Sequence, residues 1–192
     1  MRLLSQRKFT PSMDFAWHSS ALKPATSVRA LDRGDTENIM EAVSYRVHRI
    51  GDTDLALMRE LNGVFAEAFE DAASYSSPPE DDYLRAVLRR EETVVLVAQI
   101  DGRVVGGIVA YELPKLEARR SELYLYDLAV ATPHRRKGIA RALLAELCAL
   151  ATARGISAVF VQAVPSDGPA VALYESLATR EVVLHFELTE SN

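Results

Sequence analysis

Residues 127–144 read DLAVATPHRRKGIARALL, and this stretch decides the architecture around it. An apolar, strand-like run ends at Val130 and a turn containing Pro133 follows. His134, Arg135, Arg136, Lys137 and Gly138 then lead straight into helical apolar spacing at Ile139, Leu143, Leu144, Leu147 and Leu150. A strand that feeds through such a turn leaves the first N–H groups of the helix without acceptors at its positive end. Glycine there lets a ligand come close to the backbone. The predicted feature is an anion cradle, and the basic side chains beside it suit a multiply charged anion such as a pyrophosphate. A solvated cap on a surface turn fits the same residues. The glycine spacing matches neither the dinucleotide fingerprint nor the phosphate loop of nucleotide hydrolases.

Outward from this stretch the periodicity is readable. SYRVHRI (residues 44–50) alternates like a strand, and GDTD then opens a helix with apolar residues at Leu55, Met58, Leu61, Val64, Phe65 and Phe69. A short helix is expected from about Glu80 to Arg90, after Pro78-Pro79. TVVLVAQI and VVGGIVAYEL flank Asp101-Gly102-Arg103 and read as a hairpin. SELYLYDLAV is the strand that feeds the turn, and the helix after it stops near Arg154-Gly155. ISAVFVQA is a strand, Gly168 to Leu177 a helix, and EVVLHFEL a closing strand. The predicted order β-α-α-β-β-β-α-β-α-β is that of an α/β (α+β) single domain, a mixed sheet with helices on its faces.

Composition narrows the function classes. The chain has 192 residues, 48% of them hydrophobic and 26% charged, with a formal net charge of -5. That suits one ordinary domain. No apolar run approaches the roughly 18 residues that cross a bilayer, so no membrane association is expected. The one cysteine, Cys148, allows no internal disulfide and sits in an apolar helical pattern; a reducing, cytoplasmic location is expected. Residues 1–43 lack sustained periodicity and any leader-like apolar run, and are expected to be a disordered extension, or to precede a start at Met40, ahead of a folded domain over 44–192. An acidic chain with one basic turn lacks the extended basic stripe of nucleic-acid binders, so no nucleic acid is expected. No cluster of His, Cys and carboxylates has metal-ligand spacing, so no metal is expected.

LAVATPHRRKGIARALL resembles the acetyl-CoA-binding signature of the GNAT acetyltransferases, an Arg or Gln-x-x-Gly-x-Gly or Ala loop after a strand, here Arg135 to Ala140. AVALYESL (170–177) is similar to the later helix of that superfamily, and the element order is that of its fold. The resemblance implies a GNAT-like domain with a mostly antiparallel sheet and helices on both faces. It implies acetyl-CoA as acetyl donor, held by Leu128, Ala129 and Val130 and by the loop Arg135, Arg136, Lys137, Gly138, Ile139 and Ala140. A narrower resemblance, to the aminoglycoside 3-N-acetyltransferases, rests on FEDAASYS, DDYL, AYELPKLEARRSELYLYDLAV, VQA and PAVALYESL. Two positions depart from that pattern: Ala178 stands where Gly is expected, and AVPSDGPA is poor in acids.

Acyl transfer to an amine needs a neutral amine, so an ammonium acceptor must lose a proton. Asp127 is the first candidate base and Glu122 the second. Strict alternation places Glu122, Tyr124 and Tyr126 on one face of the strand and Asp127 on the other, unless a bulge intervenes. Tyr174 is implied by the resemblance as the acid that protonates the departing thiolate; from the residues alone it also reads as a core tyrosine of an amphipathic helix. The expected substrate side is Asp71, Tyr75, Asp82, Tyr83, Tyr124, Tyr126 and Asp167, carboxylates and phenols suited to a polycationic aminoglycoside. Acids in a helix's first turn equally read as favourable dipole partners. The reading is an acetyl-CoA-dependent N-acetyltransferase acting on the 3-amino group of aminoglycosides, and so on antibiotic resistance. A polyamine or other small-amine acetyltransferase and a non-catalytic coenzyme A sensor are the alternatives. A homodimer is left open.

Overall fold

In the computed structural model, which describes residues 44–75 and 77–186, the elements run in this order. They are β1 (Arg46–Ile50), α1 (Leu55–Ala68), α2 (Ala72–Tyr75), α3 (Asp81–Leu88), β2 (Thr93–Ile100), β3 (Arg103–Pro114), β4 (Ser121–Val130), α4 (Ile139–Ala153), β5 (Ala158–Val161) and α5 (Gly168–Glu175). A 3-10 turn, Thr132–His134, joins β4 to α4. The extension expected over residues 1–43 lies outside the described residues.

The five strands lie side by side in chain order. The first three pairings are antiparallel and β4–β5 is parallel, so the sheet is mixed, as the alternation of helices and hairpins predicted. The hairpin sits where Asp-Gly marks it. Ile100 opposes Arg103, and Asp101 (φ 48°) and Gly102 (φ 79°) both take the left-handed conformation that a two-residue turn requires.

Apolar residues of β2 pack on both sheet faces, which is why TVVLVAQI is continuously apolar rather than alternating. On one face Leu61 and Phe65 of α1 and Leu84 and Leu88 of α3 pack with Val95, Val97 and Val109. On the other, Ile139, Leu143 and Leu147 of α4 pack with Leu96, Ile108, Leu123 and Leu125. Helices therefore lie on both faces. Gly107 sets how closely α1 approaches: a Cβ there would stand 2.5 Å from the Leu96 carbonyl and 2.6 Å from Leu61 Cδ1.

Two differences from the sequence reading have physical causes. The single turn α2 is too short to show a period. The closing strand does not form among the described residues: residues 181–186 have no regular structure, and Val182, Val183, Leu184 and Phe186 are exposed. Alternating apolar residues express a preference for strand, but a strand also needs an edge with which to pair. Residues 181–186 have no backbone hydrogen bond to β5, itself only four residues long. Residues 187–188 of that expected strand lie outside the described residues.

Candidate active site

The turn and the helix start lie where the sequence puts them. After β4 ends at Val130, Arg135 folds back to donate from Nε to the Val130 carbonyl at 3.0 Å. Arg136 (φ 63°) and Gly138 (φ 81°) are left-handed, and Gly138 is the N-cap residue of α4. Among the described residues no backbone carbonyl or side chain accepts from the amides of Arg136 to Arg141. These amides cluster at the positive end of a 15-residue helix. Ile139, 1% exposed, anchors the first turn in the core, while Arg135, Arg136, Lys137 and Gly138 face solvent. The cradle is thus rigid below and open above.

An open strand edge leads away from it. β5 pairs with β4 only from Glu122 to Leu125, so Tyr126 to Val130 have no strand on that side among the described residues. Their other edge is held by β3, with Ala129 opposite Gly107 and Val130 opposite Gly106. Leu128, Ala129 and Val130 therefore present one free backbone edge next to the cradle.

The bulge on which Asp127 depends is present. Val109 opposes Asp127 but Ala110 opposes Leu125, so Tyr126 is the extra residue of β4. Leu123 and Leu125 face α4, and beyond the bulge Asp127 shares the opposite face with Val109. Strict alternation fails here by one residue, and Asp127 joins the face of Tyr124.

Asp127 lines a cavity of about 500 Å³ with Tyr75, Tyr83, Tyr111, Met58 and Phe65. Burial raises its carboxyl above the ordinary aspartate range. Among the described residues no hydrogen bond or ion pair holds that carboxylate. Tyr75 and Tyr111 are raised in turn, first by burial and then by the negative charge of Asp127. A half-buried, unpartnered carboxylate ringed by phenols can take a proton from a cationic ligand.

The remaining candidates have other partners or stand apart. Glu122 is ion-paired with Arg120 at 2.8 Å and Lys115 at 3.3 Å at the start of β4. Asp71 accepts from the Ser74 amide at 3.1 Å, which caps α2; its hydrogen bonds to Ser74 hold its carboxyl below the usual range. Asp167 caps α5 by accepting from the Ala170 amide at 3.1 Å. Asp82 is exposed in the first turn of α3. Tyr83 lines the cavity, whereas Tyr124 and Tyr126 lie on the neighbouring sheet surface. Tyr174 of α5 is partly buried, and burial with the Asp167 charge pushes its phenol up to about 12. Arg141, in the first turn of α4, ties the two helices by donating to Ser176 Oγ at 2.9 Å. Of the cavity's tyrosines, Tyr111 is the one the sequence reading missed; β3 is apolar on both faces, so alternation gave no signal for it.

Comparison with known proteins fits this geometry. The chain is similar to an aminoglycoside acetyltransferase from an uncultured soil metagenomic sample: 46% identical, TM-score 0.74, covering 77% of this chain and 99% of that one. It is also similar to a second such enzyme from a soil metagenomic sample, solved in complex with sisomicin: 30% identical, TM-score 0.72, covering 77% of this chain and 97% of that one. Human N-acetyltransferase 8 is 30% identical over 100 residues, 52% of this chain, and the match spans only 44% of that protein's length. The pattern of the Acetyltransferase (GNAT) family matches residues 56–178, from α1 through the Tyr174 helix, and the chain belongs to that family of N-acetyltransferases.

Proposed function

We propose that this protein transfers an acetyl group from acetyl-CoA to the 3-amino group of an aminoglycoside. The observation that carries the reading is Asp127: a carboxylate turned by a bulge into a phenol-lined cavity, without a hydrogen-bond or ion-pair partner among the described residues, on the strand that ends at the turn before α4.

The cradle fits a pyrophosphate. Amides from Arg136 to Arg141, unpaired among the described residues, lie at a helix N-terminus, Gly138 leaves the approach clear, and Arg135, Arg136 and Lys137 add charge. The free edge of Tyr126 to Val130 offers alternating amide and carbonyl groups to the extended, amide-bearing arm of coenzyme A. When bound, acetyl-CoA would supply the acetyl thioester. Asp127 would take a proton from the acceptor ammonium, releasing the lone pair that attacks. Tyr174, whose phenol stays protonated through neutral pH, would give its proton to the departing thiolate.

Charge favours a polycationic acceptor. The 1–41 stretch carries six basic and five acidic residues, so the acidity of the chain lies in the rest. Asp82 and Glu80 sit at the start of α3, beside the cavity residue Tyr83. A field of this sign concentrates polyamines at the cleft. The two solved relatives are aminoglycoside acetyltransferases, which supports the same acceptor class here. A role in antibiotic resistance and action in the cytoplasm follow as parts of this proposal.

The test is a product screen. Purified protein, acetyl-CoA and a panel of aminoglycosides, polyamines and peptides are incubated, and products are read by mass spectrometry. Singly acetylated aminoglycoside is expected. Turnover confined to polyamines or peptides would replace the acceptor class, and coenzyme A binding without any transfer would leave a sensor rather than an enzyme.

A further inference from the structure

Four aromatic rings form an unbroken row on the sheet beside the Asp127 cavity. Tyr111 and Tyr126 meet edge-on with centroids 5.8 Å apart, Tyr126 and Tyr124 at 5.7 Å, and Tyr124 stacks on Phe160 at 5.0 Å. Three strands contribute: Tyr111 of β3 opposes Tyr124 of β4, which opposes Phe160 of β5. The row lies on the face that α1 and α3 cover further along, but the core beneath those helices includes neither β5 nor the first half of β4.

Strand pairing alone does not account for the row. Tyr111, Tyr124 and Phe160 are cross-strand neighbours, and such pairs do stabilise sheets. Tyr126, however, is the extra residue of the bulge and has no opposite residue on β3, yet its ring bridges Tyr111 and Tyr124 while 61% exposed. Phe160, without a hydroxyl to solvate, is 38% exposed. Within the row the Tyr124 ring is held by its hydroxyl, which donates to Gln162 Oε1 at 3.1 Å. A contiguous, anchored apolar patch of this kind marks a binding surface.

The row is continuous with the cavity, because Tyr111 belongs to both. A ligand whose amine reaches Asp127 therefore has Tyr111, and next to it the exposed ring of Tyr126, within its reach. Such faces attract ammonium groups and the C–H faces of saturated rings. We propose that Tyr111, Tyr126, Tyr124 and Phe160 form a stacking platform for the sugar rings that lie beyond the reacting amine, so that the site selects polycationic saccharides of several rings by stacking as well as by charge. This rests on the acceptor class proposed above.

Two measurements on the full chain test it. The first is the ratio of kcat/KM for sisomicin to that for 2-deoxystreptamine, a single-ring aminocyclitol, in the native protein, Tyr126→Ala, Phe160→Ala and Tyr126→Phe. The alanine variants should lower the ratio about 2- to 30-fold, the span of one cation–π contact, and Tyr126→Phe should keep it. The second is sisomicin affinity by calorimetry, which needs no turnover, with circular dichroism confirming folded variants. Sisomicin acetylation with a ratio and an affinity indifferent to Tyr126 and Phe160 would overturn the platform alone. Tyr126-dependent binding without acetylation would uphold the platform and remove the acceptor reading. No sisomicin binding to the native protein would overturn both.

Discussion

Replacing Asp127 by asparagine should silence the enzyme without weakening the fold. The side chain keeps its shape and loses only its charge and its ability to take a proton. Loss of a positioned general base costs roughly 10²- to 10⁴-fold, which at 1.36 kcal/mol per factor of ten is about 2.7 to 5.4 kcal/mol of barrier. The structure sets the other half of the expectation. The carboxylate has no partner among the described residues, so the amide leaves no group orphaned. Because burial raises the folded-state pKa of Asp127, the unfolded chain ionises it more readily, and folding bears a penalty at every pH above the unfolded pKa. Asparagine removes that penalty. Asp127→Asn should melt no lower than the native protein at neutral pH, and any gain should vanish as pH falls below the ordinary aspartate range. The assay is kcat/KM for sisomicin across pH, with melting followed by circular dichroism. The native profile should lose activity on the acid side at a pH above that of an ordinary aspartate, and the deficit of Asp127→Asn should shrink at high pH, where more of the acceptor amine is already neutral. A folded variant whose profile overlays the native one would refute the base. A variant that unfolds easily at neutral pH would refute the unpartnered carboxylate.

Gly138→Asp should cripple coenzyme A binding by setting a negative charge among the unpaired amides, and Gly138→Asn, also tolerant of the left-handed conformation at φ 81°, should weaken it much less; equal affinities of the two by calorimetry would show that charge is not what the cradle reads. Tyr174→Phe should lower kcat more than it changes coenzyme A affinity. The native enzyme should show no loss of activity from Tyr174 ionisation until the pH nears about 12, where its phenol is pushed; unchanged kcat with chemistry rate-limiting would leave Tyr174 a packing residue. Gly107→Ala should cost about 1–3 kcal/mol by overpacking β3 against β2 and α1, since its Cβ would meet the Leu96 carbonyl at 2.5 Å and Leu61 Cδ1 at 2.6 Å. Gly51→Ala, with nothing within 4 Å of its Cβ, should be far milder; urea denaturation of the two checks the contrast.

The parts of the fold legible in the sequence are those set by local chemistry. Asp101-Gly102 could hardly be anything but a tight turn, and RRKG after a strand placed the cradle at the start of α4. The candidate base was harder. A period of two sets Asp127 against Tyr124, and what reverses this is a bulge at Tyr126, a residue with no glycine or turn signature to announce it. Tyr111 was lost for the opposite reason: β3 is apolar on both faces, so alternation gives no hint of which residue borders a cavity. Glu122, Asp71 and Asp167 read as free carboxylates, because the arginine, lysine and amides that occupy them are set by tertiary geometry or local caps. EVVLHFEL carries strand preference throughout, but a preference cannot show which edge, if any, it pairs with.

The proposed function requires the amine placed at Asp127 to be the 3-amino group of an aminoglycoside. Sisomicin acetylated by the purified protein with acetyl-CoA, isolated and assigned by two-dimensional NMR, tests this most directly. A single product is expected, in which the protons beside the 3-amino nitrogen, and no others, shift on acetylation, and Asp127→Asn should form the same product roughly 10²- to 10⁴-fold more slowly. A product acetylated at a different amine, or an unmodified antibiotic, would contradict it.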